Sequence, residues 1–154
     1  MKIFLFFSLV FINSLASASD KDQVNQVLDQ LHQSASKADG NQYFSLFSNQ
    51  AIFIGTDPKE TWTIQEFKNF ALPYFNKGTG WTYISRDRHI YFSETKQTAW
   101  FDEMLDNEKY GETRGTGVLV STKKGWKIAQ YHLTLPIPND LTKKIVKLIR
   151  NKAD

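Results

Sequence analysis

From Trp81 to Leu135 the hydrophobic pattern takes on a period of two, broken only at three short polar stretches. That period belongs to a β-strand with one buried face, because successive side chains leave a strand on opposite sides. The breaks, at 93–97, 106–111 and 123–125, are too short for a crossover helix, which two parallel neighbours would need. Four long strands at 81–93, 98–106, 112–122 and 126–135 are therefore expected as an antiparallel meander. Pro136 and Pro138 end it, since proline has no N–H for a ladder.

The residues before Gly80 follow a different rhythm. Val24, Val27, Leu28, Leu31, Ala35 and Ala38 share one side of a helix predicted over 22–38. Asp39-Gly40-Asn41 breaks it, and a short amphipathic piece follows with Tyr43, Phe44, Leu46 and Phe47. Ala51–Thr56 reads as a brief strand, and Asp57-Pro58 opens a loop to Trp62. Thr63-Ile64-Gln65-Glu66 has the form of a capping box, in which threonine and glutamate satisfy each other's backbone N–H groups. Ile64, Phe67, Phe70, Ala71, Tyr74 and Phe75 make the expected buried stripe of the helix that follows, and Gly78 and Gly80 end it. After the prolines, Asn139 or Asp140 can cap a last helix with Leu141, Ile145, Leu148 and Ile149 inward. Helices first and a curled sheet afterwards argue an α+β domain, with helices packed on one face of the sheet.

The N-terminus sets expectations about compartment. Met1-Lys2, the apolar run Ile3–Ile12 and the small residues Ala16-Ser17-Ala18 form a signal peptide pattern over 1–18, leaving a single domain over 19–154. The apolar run falls short of the roughly 20 residues that cross a bilayer. The expected location is the periplasm or the outside of the cell, with no membrane anchor. There is no cysteine, hence no disulfide framework and no thiol nucleophile. The formal charge of +3 is too small to imply a nucleic-acid or membrane partner. The basic residues Lys143, Lys144, Lys147, Arg150 and Lys152 read as the solvated face of the last helix.

The segments ADGNQYFSLFSNQAIFIGTD, ETWTIQEFKNFALPYFNKGTGW, AWFDEML, YGETRGTGVLV and GWKIAQYHLTLPIPN together cover nearly all of 19–154. In that order they resemble a SnoaL-like domain of the nuclear transport factor 2-like (NTF2-like) superfamily. The resemblance implies a cone-shaped roll, in which N-terminal helices pack on a strongly curved antiparallel sheet around a pocket, with a C-terminal helix. Isomerases, dehydratases, cyclases, binding subunits and association domains share this scaffold, so the resemblance implies no single activity.

Candidate site residues come from the strands. Asp102 and Glu103 are adjacent and must face opposite sides of the sheet, so one of them can enter the cone. A carboxylate in an apolar pocket can serve as acid or base; the competing reading pairs both with basic strand residues. Arg114, in GETRGTG, offers a forked donor for a carboxylate or phosphate, or an ion pair with Asp102, Glu103 or Glu112. Strict alternation puts His132 with Trp126, Ile128, Gln130 and Thr134, opposite Lys127, Ala129, Tyr131 and Leu133. A one-residue bulge would reverse that assignment. An imidazole at a cavity mouth can shuttle protons, and a hydrogen bond to a neighbouring strand would satisfy it equally.

His32, His89 and His132 lack metal-ligand spacing, and neither G-x-S-x-G nor a glycine-rich phosphate loop occurs, so no metal and no cofactor are expected. Aromatic residues make up 14% of the chain, enough to build an apolar cavity. The leading expectation is an exported small-molecule-binding domain, homodimeric through the exposed sheet face. Arg114, Glu103 and His132 would be its polar contacts, and Trp62, Trp100 and Tyr43 its walls. The alternative is a proton-transferring enzyme with Asp102, Glu103 or His132 as base and Tyr131 as donor. A structural dimerisation module with a filled cone is the third.

Overall fold

The computed structural model describes residues 18–152. All of the expected signal peptide except Ala18 lies outside the described residues. Helix α1 (Asp20–Ser36) and the short α2 (Gly40–Ser45) lead into β1 (Phe47–Ile54) and β2 (Thr61–Thr63). Helix α3 (Ile64–Phe75) follows, then β3 (Ile84–Phe92), β4 (Thr98–Asn107), β5 (Gly111–Thr122), β6 (Gly125–Thr134) and α4 (Thr142–Lys152).

The predicted meander is present, with β3, β4, β5 and β6 pairing antiparallel in sequence order. The sheet as a whole is mixed rather than antiparallel throughout. It has six strands in the order β2-β1-β6-β5-β4-β3, and β1 lies parallel to β6. The correction follows from topology, because the last meander strand returns beside β1 running in the same direction. The three-residue β2, read from sequence as loop, adds an antiparallel edge to β1.

Local chemistry fixes the helix starts. The Thr63 hydroxyl accepts from the Glu66 N–H at 3.3 Å, and the Glu66 carboxylate accepts from the Thr63 N–H at 2.8 Å, the expected capping box. Ser19 and Asp22 do the same for α1. Helix α1 buries Val24, Leu28, Leu31 and Ala35, and α3 buries Phe67, Ala71 and Phe75. Phe53 of β1 stacks on Phe67 with ring centroids 3.7 Å apart, joining α3 to the sheet. The stripe of α3 is narrower than predicted: Phe70 and Tyr74 stay about half exposed.

Two bulges decide which side chains enter the core. On β6, Ile128 opposes Leu119 and Gln130 opposes Val118, so Ala129 is the extra residue. On β3, Arg86 opposes Met104 and His89 opposes Asp102, so Asp87 and Arg88 together face Glu103; Asp87 takes φ +50° to make the bend.

Helix α4 departs from expectation. None of its residues is buried, and Leu148 and Ile149 are 56% and 62% exposed. The prediction that Leu141, Ile145, Leu148 and Ile149 face inward fails because α1 and α3 already cover the inner face of the sheet.

Candidate functional site

The inner face of β4 carries Ala99, Phe101, Glu103 and Leu105, and all four are buried. Glu103 is the only charged side chain among them, at 0% exposure, and three groups from two elements surround it. His32 of α1 lies 2.7 Å from Oε1 through Nε2. The Ser85 hydroxyl donates to Oε2 at 2.6 Å, and Arg88 Nε donates to Oε2 at 2.8 Å. Arg88 reaches inward only because of the β3 bulge, and its Nη1 also donates to Asp29 of α1 at 2.7 Å. Burial is the largest single influence on Glu103 and would raise its pKa. The His32 hydrogen bond and charge, then Arg88 and Ser85, outweigh it and hold the carboxyl below the usual range. Glu103 is thus an ionised anchor with both oxygens occupied. It orients His32, whose Nδ1 has no partner among the described residues.

Opposite Glu103 stands Gly115, where a Cβ atom would sit 2.6 Å from the Tyr131 hydroxyl and 3.1 Å from Glu103 Oε1. The glycine therefore makes room for tyrosine and carboxylate to approach each other. Burial first, and then the Glu103 charge, push Tyr131 well above its ordinary pKa. It is a neutral hydroxyl, able to donate. Tyr43 is likewise raised by burial, and Tyr83 is pushed up to about 12 by burial and by Tyr110.

His32, Tyr43, Tyr83 and Tyr131 line a narrow space of about 20 Å³, room for one water. Phe53, Trp81, Tyr83 and Leu133 are shared between this neck and a wider cleft of about 520 Å³. Trp62 of β2, Phe70 of α3, Trp81 and Tyr83 before β3, and Tyr110 of the β4–β5 turn wall the cleft. Glu60, Asn107 and Lys109 add polar groups to its lining. A similar volume over the polar side of α1 is bordered by that helix alone and encloses nothing.

The predicted site residues separate into two groups. Glu103, Tyr131 and Tyr43 meet at or beside the neck, and Trp62 walls the cleft. Asp102, Arg114, His132 and Trp100 share the outer face of the sheet, where Asp102 opposes Thr116 and Thr116 opposes His132. The Ala129 bulge is the reason for His132, since it turns Tyr131 and Leu133 inward beside Ile128. Arg114 is exposed and has no ion pair among the described residues; its three expected partners pair elsewhere, Asp102 with His89, Glu103 with Arg88 and Glu112 with Arg86. Asp102 pairs with His89 at 3.0 Å, and Trp100 stacks on Tyr91.

Sequence reasoning missed His32, Ser85 and Arg88. His32 lies four residues after Leu28 and three before Ala35, on the apolar stripe of α1, so its inward position was readable. Arg88 gave no such signal, because alternation without the bulge turns it outward.

A SnoaL-like domain signature matches residues 24–138. The chain belongs to the SnoaL-like family. Solved structures agree on the NTF2-like fold. An NTF2-like protein of unknown function from Pseudomonas putida superposes with a TM-score of 0.65 at 8% identity, over 77% of this chain and 87% of that one. A candidate dehydratase of the NTF2-like family from Streptomyces avermitilis gives 0.62 at 14% identity, over 77% and 97%. A candidate aromatic ring hydroxylase from Novosphingobium aromaticivorans gives 0.62 at 15% identity, over 79% and 94%. At such identities the likeness is one of fold alone. No curated protein sequence matches this SnoaL-like chain.

Proposed function

We propose that this SnoaL-like domain binds a small apolar or amphipathic organic molecule in the aromatic cleft. The observation that carries the reading is the cleft itself. Its volume of about 520 Å³ lies within the roughly 300–1,000 Å³ of small-molecule sites, and seven of its sixteen lining residues are aromatic. The third expectation, a cone packed shut, fits the neck of about 20 Å³, and the binding reading rests on the wider cleft outside it. The reading extends to export through residues 1–18 into the periplasm or the medium. It also includes a homodimer through the outer sheet face, where Tyr91 and Trp100 stack with centroids 6.0 Å apart.

Proton transfer is the second reading, and the His32–Glu103 pair is what favours it. The neutral form of an imidazole oriented through Nε2 by a buried carboxylate has Nδ1 left to accept a proton. The Tyr131 hydroxyl would donate a hydrogen bond to the oxygen on which negative charge develops. The base is then His32 rather than Asp102, Glu103 or His132, and substrate must widen the neck to reach it.

One experiment serves both. Native mass spectra of the purified protein should carry a non-covalent small-molecule mass, lost or weakened about tenfold by Trp62→Ala. A clean apo mass, together with no thermal shift from a panel of aromatic and aliphatic acids, alcohols and ketones, would reject binding. Deuterium entering a bound ketone in wild type but not in His32→Gln would favour the enzyme; equal exchange in both would remove it.

A further inference from the structure

Among the described residues, helix α4 is the one helix that buries nothing. Helices α1 and α3 each hide a stripe against the sheet, whereas α4 has no substantial packing on any other element. Its apolar residues are nonetheless arranged. At 100° per residue, Ile145, Val146, Leu148 and Ile149, with Leu141 just before the first turn, occupy a sector of about 160°. Lys143, Lys144, Lys147 and Arg150 lie on the opposite side, whereas Lys152, in the last turn, falls within the apolar sector; no acid falls within Thr142–Lys152. Leu135 and Ile137, just upstream, are also nearly half exposed. An 11-residue helix is marginal in water without a surface to pack on, and the described residues offer none.

The charge belongs to this helix and not to the fold. The whole chain is +3 with 19 basic side chains, and five of those lie in α4, so the rest of the chain holds more acid than base. A broad aliphatic sector bordered by flexible cations matches an anionic lipid interface. Acyl chains accept the leucine and isoleucine side chains, while lysine and arginine stems reach up to headgroup phosphates. A protein groove would need a shaped partner and acids placed to meet the lysines. With 11 residues α4 is too short to span a bilayer, and no described helix is long and apolar enough to do so.

We propose that α4 lies in the plane of an anionic membrane surface and holds the cleft-bearing domain against it. Co-flotation with phosphatidylcholine vesicles, with and without about one-third phosphatidylglycerol, tests this. The protein should float with the anionic vesicles, only weakly with the neutral ones, and less in 0.5 M salt, a screening condition of about 4 Å Debye length. Ile149→Glu and the charge reversal Lys144→Glu/Lys147→Glu should each cut the bound fraction about tenfold. All three side chains are exposed or unpaired, so the thermal melt should not move. Absence of flotation with anionic vesicles would overturn the proposal. So would flotation untouched by both variants, which would assign the binding to residues 1–18. Variants that lower the sedimentation mass while leaving vesicle binding unchanged would place a second copy on α4 and overturn it as well.

Discussion

The two faces of β4 carry neighbouring carboxylates, each beside a histidine: Asp102 meets His89 at 3.0 Å on the outer face, and Glu103 meets His32 at 2.7 Å on the inner one. On the outside, His89 and Asp102 are 60% and 43% exposed, and water competes for both. On the inside the figures are 12% and 0%, and Arg88 and Ser85 complete the shell. Identical chemistry thus has different consequences. Screening leaves the outer pair worth little, while the inner carboxylate cannot lose a partner without stranding a buried charge.

The largest expected effect is that of Glu103→Ala. It leaves Arg88 and His32 facing an empty site and should cost about 3–5 kcal/mol of unfolding free energy, read from the urea midpoint. A loss below about 1 kcal/mol would mean that water replaces the carboxylate and that the inner pair is no different from the outer.

A smaller effect follows from pH. The folded pKa of Glu103 is depressed, so its contribution is present above the unfolded value of about 4.3 and disappears as pH falls through the lower folded value. Wild-type stability should therefore decline on acidification below about pH 4.3, and Glu103→Gln should flatten that part of the profile. An unchanged slope in the variant would assign acid sensitivity to other groups. The smallest effect is expected for Asp102→Ala, below about 1 kcal/mol in the same urea assay. A cost like that of Glu103→Ala would show that the outer face is covered in solution, as a dimer through that face requires.

How far the sequence reaches is clearest on β4 and β6. On β4 the alternation is uninterrupted, so the separation of Asp102 from Glu103 was readable, although not which of them is buried. On β6 the same rule misplaced His132, because the Ala129 bulge carries no composition of its own. The meander, the α3 capping box and the family were legible, since each rests on local pattern or on motifs in order. The parallel pairing of β1 with β6 was not, because strands distant in sequence leave no local trace of becoming neighbours. Net charge concealed α4 for a similar reason: a sum over the chain erases how charge is arranged on one helix.

The parallel pairing also has a bearing on time. Ile54 lies beside His132, so β1 sits between the three-residue β2 and a strand that is nearly the last to be made. Contacts of such long sequence separation form slowly, because a large loop must be closed before they bring any gain. Until β6 emerges, β1 has an open edge and α1 lacks one of the two strands it packs on. Such a chain completes its fold only after nearly all of it has been released from the ribosome. The delay leaves the inner edge of β1 unpaired through most of synthesis, the stretch of the chain most open to pairing with a wrong strand.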